Sequence, residues 1–204
     1  MQTKRTSDEH LPNRAPIWKA GWYRDAASCP SPHANERPGG ALVDLIVVHS
    51  ISLPPGRFGG GATFALFTGT LDDQADPYFR QLRGLEVSSH FFIRRDGALW
   101  QFVDCDRRAW HAGTSRYRGR DACNDDSIGI ELEGLEDGDP FEAAQYEALE
   151  RLCRDLKTRY PIQYVAGHAD IAPGRKVDPG KSFDWTRLQG SLAWSPGFFP
   201  GHQA

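Results

Sequence analysis

Residues 42–49 (LVDLIVVH) form an almost unbroken apolar run rich in β-branched side chains, the pattern of a strand buried on both faces. The prolines and glycines of SLPPGRFGGG interrupt it and predict a long surface loop, after which ATFALFTG has the makings of a short helix. VSSHFFIRR and ALWQFVD alternate on either side of Asp96-Gly97, which predicts a β-hairpin. SIGIELEG alternates with a period of two and reads as a strand. In FEAAQYEALERLCRDLKTRY, residues Phe141, Tyr146, Leu149, Leu152, Cys153 and Leu156 recur at helical spacing, which predicts an amphipathic helix. IQYVAGH is a further strand, ADIAPGRKVDPGKSF a loop, and DWTRLQGSL the start of a last helix capped by Asp184. Residues 105–126 are polar with interspersed glycines and aromatics, and form a long loop of the kind that is usually functional or disordered.

Strands alternating with helices predict an α/β (α+β) fold in a single domain, with a central mixed sheet of four or five strands flanked by helices. The polar, proline-dotted residues 1–16 are expected to be a flexible arm, residues 17–190 the domain, and the Pro/Gly-rich residues 191–204 a tail.

Composition narrows the class. The chain has 204 residues, 39% hydrophobic and 25% charged, as in an ordinary globular domain. Its net charge of −3 lacks the basic surplus of a nucleic-acid binder. No apolar run is long enough to span a membrane. The basic residues near the N-terminus are not followed by an apolar stretch, so a cytoplasmic location is expected. The four cysteines, Cys29, Cys105, Cys123 and Cys153, include no C-x-x-C pair and are expected to be free thiols. No obligate protein partner is evident.

Candidate chemistry centres on the histidines. His49 ends one apolar run and His168 another, where a polar residue at a strand exit points into the crevice at the sheet edge. Ten residues after His168 comes Asp178. Two imidazoles and a carboxylate suit zinc and leave a coordination position open, as catalytic sites do. A structural zinc would need a fourth protein ligand, and none is obvious. Glu131 and Glu133 share one face of their strand, opposite Ile128, Ile130 and Leu132, and either could serve as a general base. Lys176, two residues before Asp178, could reach an oxyanion. His90 reads as a packed structural histidine, whereas Trp110 and His111, in the long loop, could line a substrate groove, with the aromatic face suited to sugar rings. His10, His33 and His202 lie in flanking segments and are assigned no catalytic role.

The segments SPHANERP, VVHSISLPPGRFGG, ALFTGTLD, DPYF, VSSHFFIRRDG, RAWHAG, CNDDSIGIELEG, RYP and GHADIAPGRKVDPGKSFDW, in that order from about Gly21 to Leu188, resemble the cytoplasmic 1,6-anhydro-N-acetylmuramoyl-L-alanine amidases. That group lies within the superfamily of phage amidases and peptidoglycan recognition proteins. The resemblance implies one zinc held by His49, His168 and Asp178. It implies Glu131 rather than Glu133 as the catalytic carboxylate, with Lys176 as its partner. It matches Tyr78 to a tyrosine that assists catalysis in phage relatives. The implied substrate is an anhydromuropeptide, cut between the lactyl group of anhydromuramic acid and the first L-alanine during wall recycling. Ser50 departs from an expected Asn, and Glu86 and Ala122 stand where some members carry arginines that hold the peptide portion. Some recognition proteins on this scaffold lack a zinc ligand and only bind peptidoglycan; the presence of all three ligands here favours an enzyme.

Overall fold

The structure, a computed structural model, describes residues 17–202. The expected arm at 1–16 lies outside the described residues.

The apolar runs become a six-stranded mixed sheet. Its strands are β1 (Ala27–Ser28), β2 (Leu45–Ile51), β3 (Phe91–Ile93), β4 (Leu99–Gln101), β5 (Ser127–Glu133) and β6 (Tyr164–Gly167), in the spatial order β6-β2-β5-β3-β4-β1. The first four in that order run parallel; β3 and β4 form the antiparallel hairpin, and β1 adds parallel to β4. Gly97 turns the hairpin at φ +83, a left-handed conformation natural to glycine. The sheet exceeds the expected four or five strands by an edge strand of two residues, too short to leave a periodic signal.

Central position explains composition. Leu45, Ile46, Val47 and Val48 of β2 are all fully buried, because helices or loops cover both faces of the parallel region. On one face Ile46, Val48, Ile128, Ile130 and Leu132 join a core with Tyr146, Leu149, Leu152 and Leu156 of helix α2 (Ala143–Arg159). Each such fully buried side chain contributes on the order of 1.5–3 kcal/mol. The start of α2 is fixed by the Glu142 N–H donating to Gln145 Oε1 at 3.0 Å, and its last turn carries Lys157 and Arg159, which suit the negative end of the helix dipole. The predicted short helix is present as α1 (Ala62–Phe67), and the last helix, Trp185–Leu192, is capped by Asp184, whose Oδ1 accepts from the Arg187 N–H at 2.9 Å. Leu192 and Phe199, from the segment expected to be a tail, are buried in the same core.

The long loop over 105–126 carries local order. Arg116–Tyr117 pairs with Arg120–Asp121, Arg108–Ala109 pairs with Ala34–Asn35, and Cys123–Asp125 makes one tight helical turn. All four cysteines are free thiols. No helix among the described residues is long and apolar enough to cross a membrane.

Candidate metal centre

Sheet register assembles the site. Glu131 of β5 pairs with His49 of β2, and Gly167 of β6 pairs with Val48, so His168 emerges one step further, beside His49. Three parallel strands thus place His49, Glu131 and His168 in a row at their C-terminal ends, where open α/β sheets build ligand sites. His168 does not extend β6 but opens a helical turn, His168–Ile171. The cause is local: Asp170 Oδ2 accepts the Gly167 N–H at 2.6 Å, a carboxylate cap that ends the strand.

Asp178 returns on the loop after that turn. Its Oδ2 lies 3.0 Å from His168 Nδ1 and 3.2 Å from His49 Nδ1, and the two Nδ1 atoms are 3.0 Å apart. All three residues are buried, and their candidate ligand atoms lie within 4.8 Å of one another; among the described residues this is the group that could hold a metal ion. Burial lowers the His49 pKa to about 4, against the pull of Asp178, so its imidazole is neutral. His168 Nε2 lies 3.2 Å from the Ala112 carbonyl, which can only accept, so the proton sits on Nε2 and Nδ1 presents a lone pair. Lone pairs converging with a carboxylate oxygen are satisfied by a cation between them. The donor set, two imidazole nitrogens and one carboxylate oxygen, fits a borderline divalent ion such as zinc.

Glu131 stands beside this cluster, with Oε1 4.0 Å from His49 Nδ1 and Oε2 buried without a hydrogen-bond partner. Burial, and then the Asp178 carboxylate, push its pKa well above the ordinary value, while Lys176 opposes the shift. Glu133, on the same strand face, is taken up elsewhere. Its Oε1 accepts the Gly59 N–H at 2.6 Å and its Oε2 the Arg95 N–H at 3.2 Å. Spacing cannot separate these two glutamates; their partners do.

A cleft opens over the row, lined by Tyr78, His111, Glu131, His168, Lys176 and Asp178, with apolar contributions from Leu66 and Leu85. Lys176 is exposed and Tyr78 half-buried. His111 reaches the cleft but is itself buried, with Nδ1 2.9 Å from His49 Nε2. Trp110 lies outside the lining; its indole N–H donates to Asn35 Oδ1 at 2.6 Å. Of the departures from the resembled pattern, Ser50 lines the cleft with a hydroxyl that has no partner, Glu86 is exposed, and Ala122 adopts φ +58 before the Cys123 turn. His90 is fully buried: Nδ1 accepts the Gly129 N–H at 3.0 Å, and Nε2 lies 3.1 Å from the Arg107 carbonyl, the structural histidine the sequence implies.

Sequence reasoning does not find Asn124 or the Ala112 carbonyl, which meet the site from the long loop. One signal was present: a glycine inside a strand, Gly129, marks close approach by another group. A Cβ there would fall 2.5 Å from the His111 ring.

Residues 39–181 match the profile of the N-acetylmuramoyl-L-alanine amidase family. The chain is 52% identical over 177 residues to the 1,6-anhydro-N-acetylmuramyl-L-alanine amidase AmpD of Enterobacter cloacae, covering 86% of this chain and 94% of that one. It is 53% identical over 175 residues to AmpD of Escherichia coli strain K12, covering 85% and 95%. Among solved structures, a crystal structure of a selenomethionine AmpD derivative superposes with a TM-score of 0.83 at 52% identity, covering 85% of this chain and 98% of that one. A Drosophila peptidoglycan recognition protein, PGRP-SA, shares the fold at 15% identity with a TM-score of 0.55, covering 86% and 90%.

Proposed function

Since the chain belongs to the N-acetylmuramoyl-L-alanine amidase family, we propose that it is a zinc-dependent enzyme of wall recycling that cuts anhydromuropeptides between the anhydromuramic lactyl group and L-alanine. The observation that carries the metal assignment is the convergence of His49, His168 and Asp178 on one point at the floor of a cleft. The substrate assignment rests on the identity to AmpD amidases over most of both chains. One zinc per chain, held by those three residues, would supply Lewis acidity to a water and to the scissile carbonyl.

The remaining chemistry falls to the chain's own side chains. Glu131 has an unpaired oxygen, a raised pKa and a place in the cleft, which suit a group that takes a proton from water and returns it to the departing alanine nitrogen. Lys176 lines the same cleft and offers an ammonium to the oxygen that gains charge as the carbonyl becomes tetrahedral. Tyr78 and His111 also border the cleft, within reach of a bound fragment. Trp110, expected to contact substrate, would do so from outside this lining. A cytoplasmic location is part of the proposal, consistent with recycled fragments as substrate.

Mass analysis of a purified anhydromuropeptide after incubation with the protein tests this reading. Release of free stem peptide, abolished by a chelator and restored by zinc, is the expected result. Binding without release would leave a recognition module instead, and release unaffected by chelation would remove the metal from the reaction.

A further inference from the structure

Both candidate imidazole ligands are oriented by one two-residue stretch, His111–Ala112, through different atoms. His168 gives its Nε2 proton to the Ala112 carbonyl at 3.2 Å, and His49 Nε2 meets His111 Nδ1 at 2.9 Å. The stretch is itself pinned. The N–H groups of His111 and Ala112 donate to Asn124 Oδ1 at 3.1 and 2.8 Å, and Asn124 is buried. Arg175 Nη2 donates to the same Ala112 carbonyl at 2.6 Å.

The direction of the His111 contact follows from the far end of its chain of hydrogen bonds. The Ser127 hydroxyl donates to the Cys123 carbonyl, which can only accept. With its proton so used, Ser127 Oγ must accept from His111 Nε2, 3.1 Å away. His111 is therefore protonated on Nε2, and its Nδ1 accepts from His49 Nε2–H. That leaves the lone pair of His49 on Nδ1, the atom facing Asp178 and His168. Gly129 makes the arrangement possible, because any Cβ at that position would occupy the His111 ring.

We propose that His111 is a positioning residue, which with Ser127 and the Cys123 carbonyl fixes the tautomer and ring orientation of His49 for metal binding. The inference rests on the metal centre proposed above. Outer partners of ligating histidines are worth about 10–100-fold in metal affinity. His111→Leu keeps an apolar body but loses the acceptor, and is expected to weaken zinc affinity of the folded protein by about that factor. His111→Asn restores an oxygen near the Nδ1 position and is expected to recover most of the loss. Zinc affinity by competition with a chromogenic chelator reads both. In zinc-free native protein, imidazole ¹⁵N shifts are expected to show the proton on Nε2 of both His49 and His111, a readout independent of how any variant folds.

A proton on His49 Nδ1 in that spectrum overturns the proposal. So does native-like zinc affinity in His111→Leu, or equal loss in the Leu and Asn variants, which would reduce the role to filling space. A native chain that binds no zinc overturns the metal centre and this inference together, whereas a native chain that binds zinc beside an equally tight His111→Leu overturns only the inference.

Discussion

Along one face of β5, two neighbouring environments treat the same side chain in opposite ways. At Glu133 the carboxylate is enclosed by backbone N–H groups from the glycine-rich loop and the hairpin, with Arg94 Nε 3.8 Å from Oε2. At Glu131, also buried, one oxygen has no partner, and the residue lines the cleft. A buried carboxylate whose charge is satisfied is a structural tie. A buried carboxylate left unsatisfied carries a cost that the fold tolerates where proton transfer is needed. Burial does not distinguish function from structure here; the fate of the lone pairs does.

The largest expected effect comes from Glu131→Gln. Turnover of an anhydromuropeptide falls by about 10²–10⁴-fold, the usual worth of a general acid–base group. Its raised pKa means that folding favours the protonated form, so the ionised form destabilises the fold as pH rises above the unfolded value. Gln removes that penalty, and Tm at neutral pH is expected to match or exceed the native value. A variant with near-native turnover would erase the contrast.

Glu133→Ala should do the reverse. It strips two charge-assisted hydrogen bonds from the loop and hairpin, and urea unfolding is expected to show a loss on the order of 3 kcal/mol. Turnover per folded molecule stays close to native. An inactive, fully stable Glu133→Ala would invert the two roles.

A test that is silent at neutral pH sharpens the rule on a third group. His90 is bound to the same strand through the Gly129 N–H, with both ring nitrogens engaged, and burial, aided by the Arg37 charge, lowers its pKa to about 3. The unfolded chain takes up that proton near pH 6.5 and the folded chain does not. Its contribution to stability is therefore complete above about pH 6.5 and declines as pH falls toward about 3, by as much as about 1.4 kcal/mol per pH unit. Equilibrium unfolding across that range is expected to be shallower with pH in His90→Asn. Equal slopes would mean that the imidazole is charged in the native protein.

The sequence makes the frame legible where the signal is local. The apolar run of β2, the Asp-Gly hairpin and the spacing of α2 each follow from side chains close together in the chain. The candidate metal residues are suggested by type, two histidines at strand exits and an aspartate ten residues on, and are singled out as a set by resemblance, because convergence depends on register among strands far apart in sequence. Spacing does not separate Glu131 from Glu133, and only the resemblance does so in the sequence, since the difference is made by the N–H groups of Gly59 and Arg95. The orienting work of Ala112 is done by a carbonyl that every residue possesses. The edge strand Ala27–Ser28 is too short to show any period.

The parallel pairing of β6 with β2 also sets a timetable for the cell. A growing chain displays His49 and then the Glu131 carboxylate before His168 and Asp178 leave the ribosome, with the strand that must slot in beside β2. Until that strand arrives the two imidazoles have no common neighbourhood. A chain stalled after β5 therefore carries His49 and Glu131 but cannot bring His168 and Asp178 beside them.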